Sequence, residues 1–305
     1  MKIAVIGAGA VGGYFGGRLA LGGNDVAFLV RGKTLEALRS GPLRVDSVKG
    51  DFEMAVRATD RPEEIEDADV VLVAVKARQV PEAAAAIDTM PSRQSVIVPL
   101  QNGMEAPEQL AAVIGWERVA GGLCRIVSEI VDAGHIRHSW AEPSVAIGEL
   151  RPLRHKERLE ELRDAFRTAA VRCDVEQDIK FAMWEKFLFI IWGALGAVTR
   201  LPIGPIRRAP ESRARLLAAL EELAAIARAD GAAVDVAKTM AILDRLPEDT
   251  TASMQRDIMA GRPSELEAQT GAVVRFGQKA GIATPVHDAI YAELLPLEKR
   301  ARGLA

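Results

Sequence analysis

Three glycines near the N-terminus have the spacing of a phosphate-binding turn. Gly7, Gly9 and Gly12 form a G-x-G-x-x-G pattern that directly follows the apolar run KIAVI and opens a stretch with helical character. Glycines at this spacing allow a tight turn and let a pyrophosphate approach the backbone N–H groups at a helix N-terminus. A turn of this kind without a ligand is the alternative, and the strand-to-helix context argues against it. The predicted dinucleotide-binding residues of this turn are Gly7, Ala8, Gly9, Ala10, Val11 and Gly12.

The residues after the second apolar strand bear on which dinucleotide is bound. The run DVAFLV is followed by Arg31, Gly32 and Lys33, with no acidic residue among them. An acid at this place usually binds the ribose 2′-hydroxyl of NAD, whereas an arginine suits the 2′-phosphate of NADP. The sequence therefore favours NADP (NADPH), with Arg31 as the phosphate contact. A solvated basic loop is the other interpretation.

Two polar residues follow later strands of the same half. Lys76 comes directly after DVVLVAV, and Asn102 follows SVIVPLQ. Ligands of open parallel sheets bind at the carboxyl ends of the strands, so both side chains are candidates for contacting a ligand. Each also has a plain structural explanation: Lys76 could open a surface helix, and Asn102-Gly103 is a common turn dipeptide.

A charged pair interrupts the most apolar part of the chain. Glu185 and Lys186 lie within MWEKFLFIIWG, at residues 183–193. Burying an ammonium is costly unless a partner or a task compensates. Lys186 therefore either extends its head to water from a core helix or projects into a cleft as a proton donor.

The apolar residues of the elements that must position these side chains follow one pattern in the first part of the chain and another in the second. Up to about residue 177, buried-type strands alternate with crossover helices, which is typical of a parallel sheet. Added edge strands are predicted over 125–150, and a charged helix over 154–170. The fold class is α/β, with a Rossmann-type doubly wound sheet in 1–177 and an all-helical substrate domain in 178–305. The helices predicted in the second part are 178–199, 211–231, 234–245, 248–260, 264–281 and 285–301.

Composition and charge exclude several classes of protein. The 305 residues carry a formal net charge of −3, which does not suit a nucleic-acid or anionic-membrane surface. Cys124 and Cys173 have no C-x-x-C spacing, so they predict core residues and neither a disulfide framework nor a metal site. No secretory signal is apparent, and the longest apolar run, 187–198, is shorter than the roughly 18 to 20 residues of a membrane span. We expect a cytoplasmic protein.

Five ordered motifs resemble the ketopantoate reductase family over nearly the whole chain. They are GAGAVG, AVKARQ with Lys76, LQNGM with Asn102, MWEKF with Lys186, and SMQRDIMAGRPSELE with Ser253 and Glu265. The resemblance implies an oxidoreductase that uses NADPH to reduce 2-dehydropantoate to (R)-pantoate, a step of pantothenate and coenzyme A biosynthesis.

Roles for five of the residues follow from the same resemblance. It implies that Lys186 is the general acid and that Glu265 lies at the far wall of the ligand cleft, within reach of the cofactor. It also implies that Lys76 and Asn102 contact cofactor or substrate and that Ser253 binds the substrate. A lysine suits this chemistry because its ammonium can polarise a carbonyl oxygen and deliver the proton that the developing alkoxide needs. Partial burial would lower the pKa of Lys186, and a nearby carboxylate such as Glu265 would oppose that shift.

Glu265 also has a plain structural explanation. In PSELE, Ser264 could cap a helix with Glu267 completing a capping box, and Glu265 would then lie favourably near the helix dipole.

Departures from the family pattern limit the substrate that the resemblance implies. Ile190, Gly193 or Ala194, and Thr250 stand where the family usually has asparagines that hold the pantoate hydroxyls. A site without those groups loses discrimination for a hydroxylated substrate, so a more apolar 2-keto acid stays open. Two other functions also stay open: a hydroxy acid dehydrogenase of the 6-phosphogluconate type, which Ile190 disfavours, and a non-catalytic NADP-binding sensor. The apolar helices could form a homodimer face, and the sequence leaves the oligomeric state, the direction of flux and domain closure open.

Overall fold

The computed structural model describes residues 1–139 and 142–304 and divides the chain into two compact units. The first comprises Met1–Gln101 and Ala106–Ile179, and the second comprises Asn102–Glu105 and Lys180–Ala305. The sequence predicted a single boundary between residues 177 and 178. The structure has the chain pass into the second unit twice, because the short segment Asn102–Glu105 packs there as well.

Among its described residues, the first unit contains three sheets and five α-helices. Its strands are β1 (Lys2–Ile6), β2 (Asp25–Leu29), β3 (Leu43–Ser47), β4 (Phe52–Met54), β5 (Arg57–Thr59), β6 (Val70–Val73), β7 (Val96–Pro99), β8 (Gly121–Arg125), β9 (Ser128–Asp132), β10 (His135–His138), β11 (Ser144–Gly148) and β12 (Arg172–Val175). Its helices are α1 (Ala10–Leu21), α2 (Gly32–Ser40), α3 (Val80–Thr89), α4 (Ala106–Ile114) and α5 (Glu157–Thr168). The main sheet is parallel, with strand order β5-β2-β1-β6-β7.

Side chains of the main sheet alternate between two separate apolar cores. Ile3 and Val5 of β1 pack in the cluster that contains Phe15 of α1 and the apolar side of α5. Ala4 and Ile6 point to the other face, where α3 and α4 supply the core. Because successive residues of a strand point to opposite faces, helices cover both sides of the sheet. The predicted doubly wound α/β fold is confirmed.

The edge strands predicted over 125–150 form separate small sheets and do not extend the main one. One sheet has the order β4-β3-β10-β9, and the other has the order β12-β11-β8. The main sheet ends at β7 with a single bridge between Ile97 and Val119. The N–H groups of Val96 and Leu100 donate towards β6, so Pro99 faces the outer edge of β7. Proline has no N–H to donate, and the ladder cannot continue there. Residues 140 and 141 of the predicted stretch lie outside the described residues.

Helices are the regular secondary structure of the second unit, and its described residues contain no strand, as predicted. Its helices are α6 (Ile179–Ile190), α7 (Trp192–Thr199), α8 (Ile203–Arg208), α9 (Pro210–Ala229), α10 (Val236–Leu243), α11 (Ser253–Met259), α12 (Ala272–Ala280) and α13 (Pro285–Ala301). A π-helical turn, Glu267–Gly271, leads directly into α12. The sequence predicted one helix over 178–199, where the structure has α6 and α7, and it did not predict α8.

The segment Ile179–Thr199 is long and apolar enough to cross a membrane by length and composition. The sequence-based expectation was drawn from the uninterrupted apolar run 187–198 alone, which is shorter than a membrane span. In the fold, 67% of the most apolar 18-residue window is buried by the protein itself. Such burial is typical of a core helix.

A largely buried carboxylate fixes the start of α13. Glu222 on α9 accepts hydrogen bonds from the backbone N–H groups of Val286 (2.7 Å) and His287 (3.1 Å) and pairs with His287 Nδ1 at 2.6 Å. These N–H groups belong to the first turn of α13, where no carbonyl of the helix itself can accept from them. Burial opposes ionisation, but the hydrogen bonds from His287 and Val286 still hold the pKa of Glu222 below its usual range.

We expect Glu222→Gln to lower the free energy of unfolding by about 2 to 3 kcal/mol at pH 7, because charge-assisted hydrogen bonds are lost. A depressed carboxyl pKa stabilises the fold above the unfolded-state value, and this contribution disappears as the pH falls through the folded-state pKa. The difference in the free energy of unfolding between wild type and Glu222→Gln should therefore become smaller at acidic pH. Urea denaturation at several pH values measures it, with Glu221→Gln, an exposed neighbour on the same helix, as control. Equal stabilities of the two variants at pH 7 would contradict the assignment.

Candidate functional site

The glycine turn between β1 and α1 brings two stretches of backbone into contact. Gly7 has a φ of +92°, and a Cβ added to Gly12 would lie only 1.9 Å from the carbonyl oxygen of Gly7. Any side chain at residue 12 would therefore push the helix off the turn. The first N–H groups of α1, which begins at Ala10, lack acceptors within the helix and lie at its positive end. This geometry fits a dinucleotide pyrophosphate. Contact by the six predicted residues of the turn and the first helical turn, Gly7 to Gly12, stays a prediction.

Arg31 lies where a 2′-phosphate contact is expected, but it has a partner already. It directly precedes α2 at the carboxyl end of β2, and its guanidinium pairs with the carboxylate of Glu82 on α3, with Nη2 2.9 Å from Oε2. The pair holds the pKa of Glu82 below its usual range. Both side chains are more than half exposed, and exposed pairs of this kind stabilise a fold very little. A phosphate could therefore replace Glu82 as the partner of Arg31.

Gln101 joins the ends of two strands beside Lys76. Its Nε2 donates to the carbonyl oxygens of Val73 and Val75, both at 2.9 Å, and the side chain is buried. These bonds fix the carboxyl end of β6, from which the chain continues to the exposed Lys76. The sequence analysis did not identify Gln101. Lys76 lies at the predicted strand end, and its contact with a ligand is still a prediction.

Two predicted site residues that are far apart in sequence meet in the second unit. Asn102 Nδ2 donates to Glu265 Oε2 at 2.9 Å, across 163 residues of chain. Gln269 Nε2 lies 3.5 Å from the same oxygen, and both Glu265 and Gln269 are buried. Gln269 is four residues after Glu265, so helical spacing in the predicted helix 264–281 could have identified it. One oxygen of Glu265 therefore has two amide donors facing it.

An ion-pair network holds the segment Asn102–Glu105 in place. Arg275 on α12 donates to both oxygens of Glu105, at 3.1 and 2.8 Å, and to the carbonyl oxygen of Glu267 at 2.8 Å. Tyr291 in turn donates to Glu267 Oε1 at 2.7 Å. Burial and this carboxylate raise the pKa of Tyr291 to about 12, so the phenol remains a donor at neutral pH. The network ties the segment that carries Asn102 to the π-helical turn.

Ser264 makes different contacts from those of the predicted capping box. Its Oγ accepts from the N–H of Leu266 at 3.1 Å, as a helix-capping serine does. Its own N–H donates to Glu298 on α13, at 3.1 and 3.0 Å, and Glu267 is engaged with Arg275 and Tyr291. The reciprocal half of the capping box is therefore wrong, because a distant carboxylate takes the place of Glu267.

Lys186 is buried on α6 with only 8% of its surface exposed. Such burial does not fit a lysine whose head reaches bulk water. Its neighbour Glu185 points elsewhere and pairs with Lys238 on α10. The helix is fixed by Asp230, which accepts from Trp184 Nε1 at 2.9 Å and from Lys180 Nζ at 2.8 Å. These contacts set the rotation of α6 and hence the direction of Lys186.

Two of the positions where the family usually has asparagines, Ile190 and Gly193, are apolar or too crowded for a larger side chain, whereas the third, Thr250, is polar and partly buried. A Cβ added to Gly193 on α7 would lie 2.5 Å from the Cβ of Ala252, which precedes α11. Ile190 is partly buried against the main apolar core of the second unit. Ser253, the predicted substrate contact, is exposed as the first residue of α11. The close approach of α7 and α11 therefore requires glycine at residue 193.

The cysteines and acidic residues provide no metal centre in the part of the chain that the structure describes. Over residues 1–139 and 142–304, no group of three or more His, Cys, Asp and Glu side chains could hold an ion. Cys124 and Cys173 are buried in the core of the first unit, as predicted. Burial raises the pKa of Cys173 to about 12, so this thiol is unreactive at neutral pH.

The doubly wound sheet with a glycine turn after its first strand is the architecture of dinucleotide-binding oxidoreductases. Comparison with known families then assigns the chain. The family model "Ketopantoate reductase PanE/ApbA" matches residues 3–152, and "Ketopantoate reductase PanE/ApbA C terminal" matches residues 178–298. The chain belongs to the ketopantoate reductase family.

Individual relatives agree with the family assignment. The chain is 33% identical to an uncharacterised oxidoreductase, YkpB, of Bacillus subtilis, over 96% of this chain and 98% of that protein. A crystal structure of 2-dehydropantoate 2-reductase from Geobacter metallireducens is 33% identical, with a TM-score of 0.88 and coverage of 97% and 99%. A ternary structure of D-mandelate dehydrogenase with NADH and anilino(oxo)acetate has a TM-score of 0.90 and coverage of 99% and 100%. Its identity is only 20%, so that likeness concerns the fold.

We expect Gly12→Ala to weaken dinucleotide binding by about 5- to 150-fold, because the added methyl cannot fit against Gly7 and overpacking of this kind costs about 1 to 3 kcal/mol. Fluorescence titration with NADPH measures the affinity, and thermal unfolding measures the accompanying loss of stability. Gly41→Ala is the control, since a Cβ there would meet its nearest atom, the Ala37 oxygen, at an ordinary 3.7 Å. Wild-type affinity in Gly12→Ala would show that the turn does not bind the pyrophosphate.

Proposed function

We propose that this protein reduces a 2-keto acid with NADPH, and that its substrate is 2-dehydropantoate, which it converts to (R)-pantoate for pantothenate and coenzyme A biosynthesis. The observation that carries the proposal is the 2.9 Å hydrogen bond between Asn102 and the buried Glu265. These residues come from two separate motifs of the family pattern. Their meeting within one unit supports a shared site.

Lys186 is the proton donor in this proposal. When bound, the nicotinamide supplies the hydride that attacks the keto carbon. The ammonium of Lys186 donates a hydrogen bond to the keto oxygen, which stabilises the negative charge that develops there, and then transfers its proton to that oxygen. Burial of Lys186 supports this role, because fewer water molecules compete for the ammonium.

Asn102 and Glu265 orient the reacting groups. The amide of Asn102 donates to Glu265 Oε2, and this bond fixes both side chains. Its amide oxygen can then accept from a hydroxyl of cofactor or substrate. The Glu265 carboxylate accepts a hydrogen bond from the product hydroxyl. The exposed hydroxyl of Ser253 contacts the substrate on the other side.

Lys76 and Arg31 bind the cofactor in this proposal. Arg31 exchanges Glu82 for the 2′-phosphate, which offers more acceptor oxygens than a carboxylate. Lys76 follows the strand end fixed by Gln101, and its exposed ammonium interacts with cofactor or substrate oxygens.

A more apolar 2-keto acid is a second candidate substrate. Gly193 abuts Ala252, and Ile190 replaces a further polar side chain. Neither position can hydrogen-bond the hydroxyl groups of pantoate. A site without such groups discriminates poorly for a hydroxylated substrate, and an apolar side chain would suit it at least as well.

We expect the purified protein to oxidise NADPH in the presence of 2-dehydropantoate, and Lys186→Ala to lower kcat by about 100- to 10,000-fold, because general acid catalysis is lost. The decrease in NADPH absorbance over time measures the rate of turnover. Lys279→Ala is the control, since Lys279 is an exposed lysine on α12 with no assigned contact in the site.

The same assay with 2-oxoisovalerate and phenylpyruvate separates the two candidate substrates. Activity on these acids without activity on 2-dehydropantoate would retain Lys186 as the donor and reject the named substrate. Tight NADPH binding without turnover of any of them would favour a sensor.

We expect Arg31→Ala to weaken NADPH binding by about 10- to 100-fold with little effect on NADH, because the 2′-phosphate loses a charged partner. Glu82→Gln should act in the opposite direction, since it frees Arg31 and removes a negative charge near the phosphate. Fluorescence titrations with both dinucleotides measure the ratio of affinities, and Arg39→Ala, an exposed arginine on α2, is the control. An unchanged ratio in Arg31→Ala would contradict the NADP assignment.

A further inference from the structure

We propose that Glu298 is a positioning residue that acts on Glu265 through Ser264. The inference rests on the proposed function, because it assigns to Glu298 the task of holding Glu265 for the reduction. Glu298 lies in the last turn of α13 and is 34 residues from Ser264 in sequence.

Glu298 and its neighbour Arg302 contact all the polar groups of Ser264. The N–H of Ser264 donates to both oxygens of the Glu298 carboxylate, at 3.1 and 3.0 Å, and its Oγ donates to Oε2 at 2.6 Å. Arg302 donates to the same carboxylate at 2.5 Å and approaches the carbonyl oxygen of Ser264 at 3.4 Å. Residue 264 is therefore fixed at its N–H, hydroxyl and carbonyl groups.

The burial of Glu298 and Ser264 supports a positioning role for this cluster. Glu298 and Ser264 are each only 2% exposed. A buried carboxylate costs folding free energy unless hydrogen bonds and an opposite charge compensate, and an apolar residue of similar size would avoid that cost. Here the hydrogen bonds that compensate Glu298 come from Ser264, which lies in the short connection between α11 and the π-helical turn. The cluster thus makes this connection rigid at residue 264.

Rigidity at Ser264 is passed directly to Glu265. Ser264 Oγ accepts from Leu266 N–H at 3.1 Å, so the backbone on both sides of Glu265 is held. The carbonyl oxygen of Glu265 accepts from Gln269 N–H at 3.0 Å, inside the π-helical turn. With its backbone fixed, Glu265 has a fixed Cα–Cβ direction, from which its side chain reaches Asn102. A π-helical turn often marks a functional site, and here it places the Gln269 amide near the same carboxylate.

The test measures kcat/KM and local backbone exchange in matched variants. We expect Glu298→Gln to lower kcat/KM for the reduced keto acid by about 10- to 100-fold, since a displacement of about 1 Å at a reacting group can cost about 100-fold. Glu293→Gln, an exposed glutamate on the same helix, should change it less than about 2-fold. Ser264→Ala, which removes only the hydroxyl, is the milder variant to use if Glu298→Gln does not fold.

A double-mutant cycle separates positioning from a merely structural role. If Glu298 acts through Glu265, then adding Glu298→Gln to Glu265→Gln should lower kcat/KM by less than about 2-fold, because the group being positioned is already lost. A full additional loss in that background, or an unchanged kcat/KM in the single variant, would overturn the proposal.

Hydrogen exchange provides a readout that does not depend on turnover. The backbone amides of residues 264–266 should exchange faster in Glu298→Gln or Ser264→Ala than in wild type or Glu293→Gln. Unchanged exchange would overturn the positioning role even in an active enzyme. A wild-type protein that reduces no keto acid would instead contradict the proposed function itself, whatever the exchange rates show.

Discussion

Buried charged side chains place a strong constraint on the second unit. Lys186, Glu265 and Glu298 are all at least nine-tenths buried, and each must be compensated where it lies. For Glu265 and Glu298 the compensation comes from amide, hydroxyl and guanidinium donors on three separate stretches of chain. An apolar core tolerates small shifts of its packing, whereas these donors must stay within hydrogen-bonding distance. The helices around them are therefore fixed in position by polar contacts as well as by apolar packing.

At Asn102 the chain passes from the first unit to the second, and the side chains on either side of this point make contacts in different units. Gln101 belongs to the first unit and bonds the strand ends there, whereas Asn102 belongs to the second unit and bonds Glu265. One peptide bond therefore separates a side chain that orders the sheet from one that orders the candidate site. Arg275 and Glu105 fix the residues that follow. The family pattern "NG" at this point thus coincides with a structural junction.

Local sequence signals predicted the parts of the fold that local physics determines. The continuous apolar runs gave the parallel strands, and the glycine spacing gave a turn that only glycines can form. The separation of the edge strands from the main sheet depended on Pro99, whose missing N–H faces the outer edge, and that orientation follows from pairing the sequence does not display. The partners of Glu265 and Ser264 lie 163 and 34 residues away, so only tertiary structure brings them together. The resemblance pointed to Asn102 and Glu265 individually but not to their bond, and nothing local pointed to Gln101 or Glu298.

The contact between Gly193 and Ala252 limits the order in which substitutions can occur at these two residues. A side chain at 193 would meet the Cβ of Ala252 at 2.5 Å, so a single substitution that introduces an asparagine there is blocked by steric overlap. An asparagine at residue 193 requires a compensating change at residue 252 first, and the intermediate that carries only that change gains no hydrogen-bonding side chain. Two ordered substitutions therefore separate this pair from an arrangement with a polar side chain at residue 193.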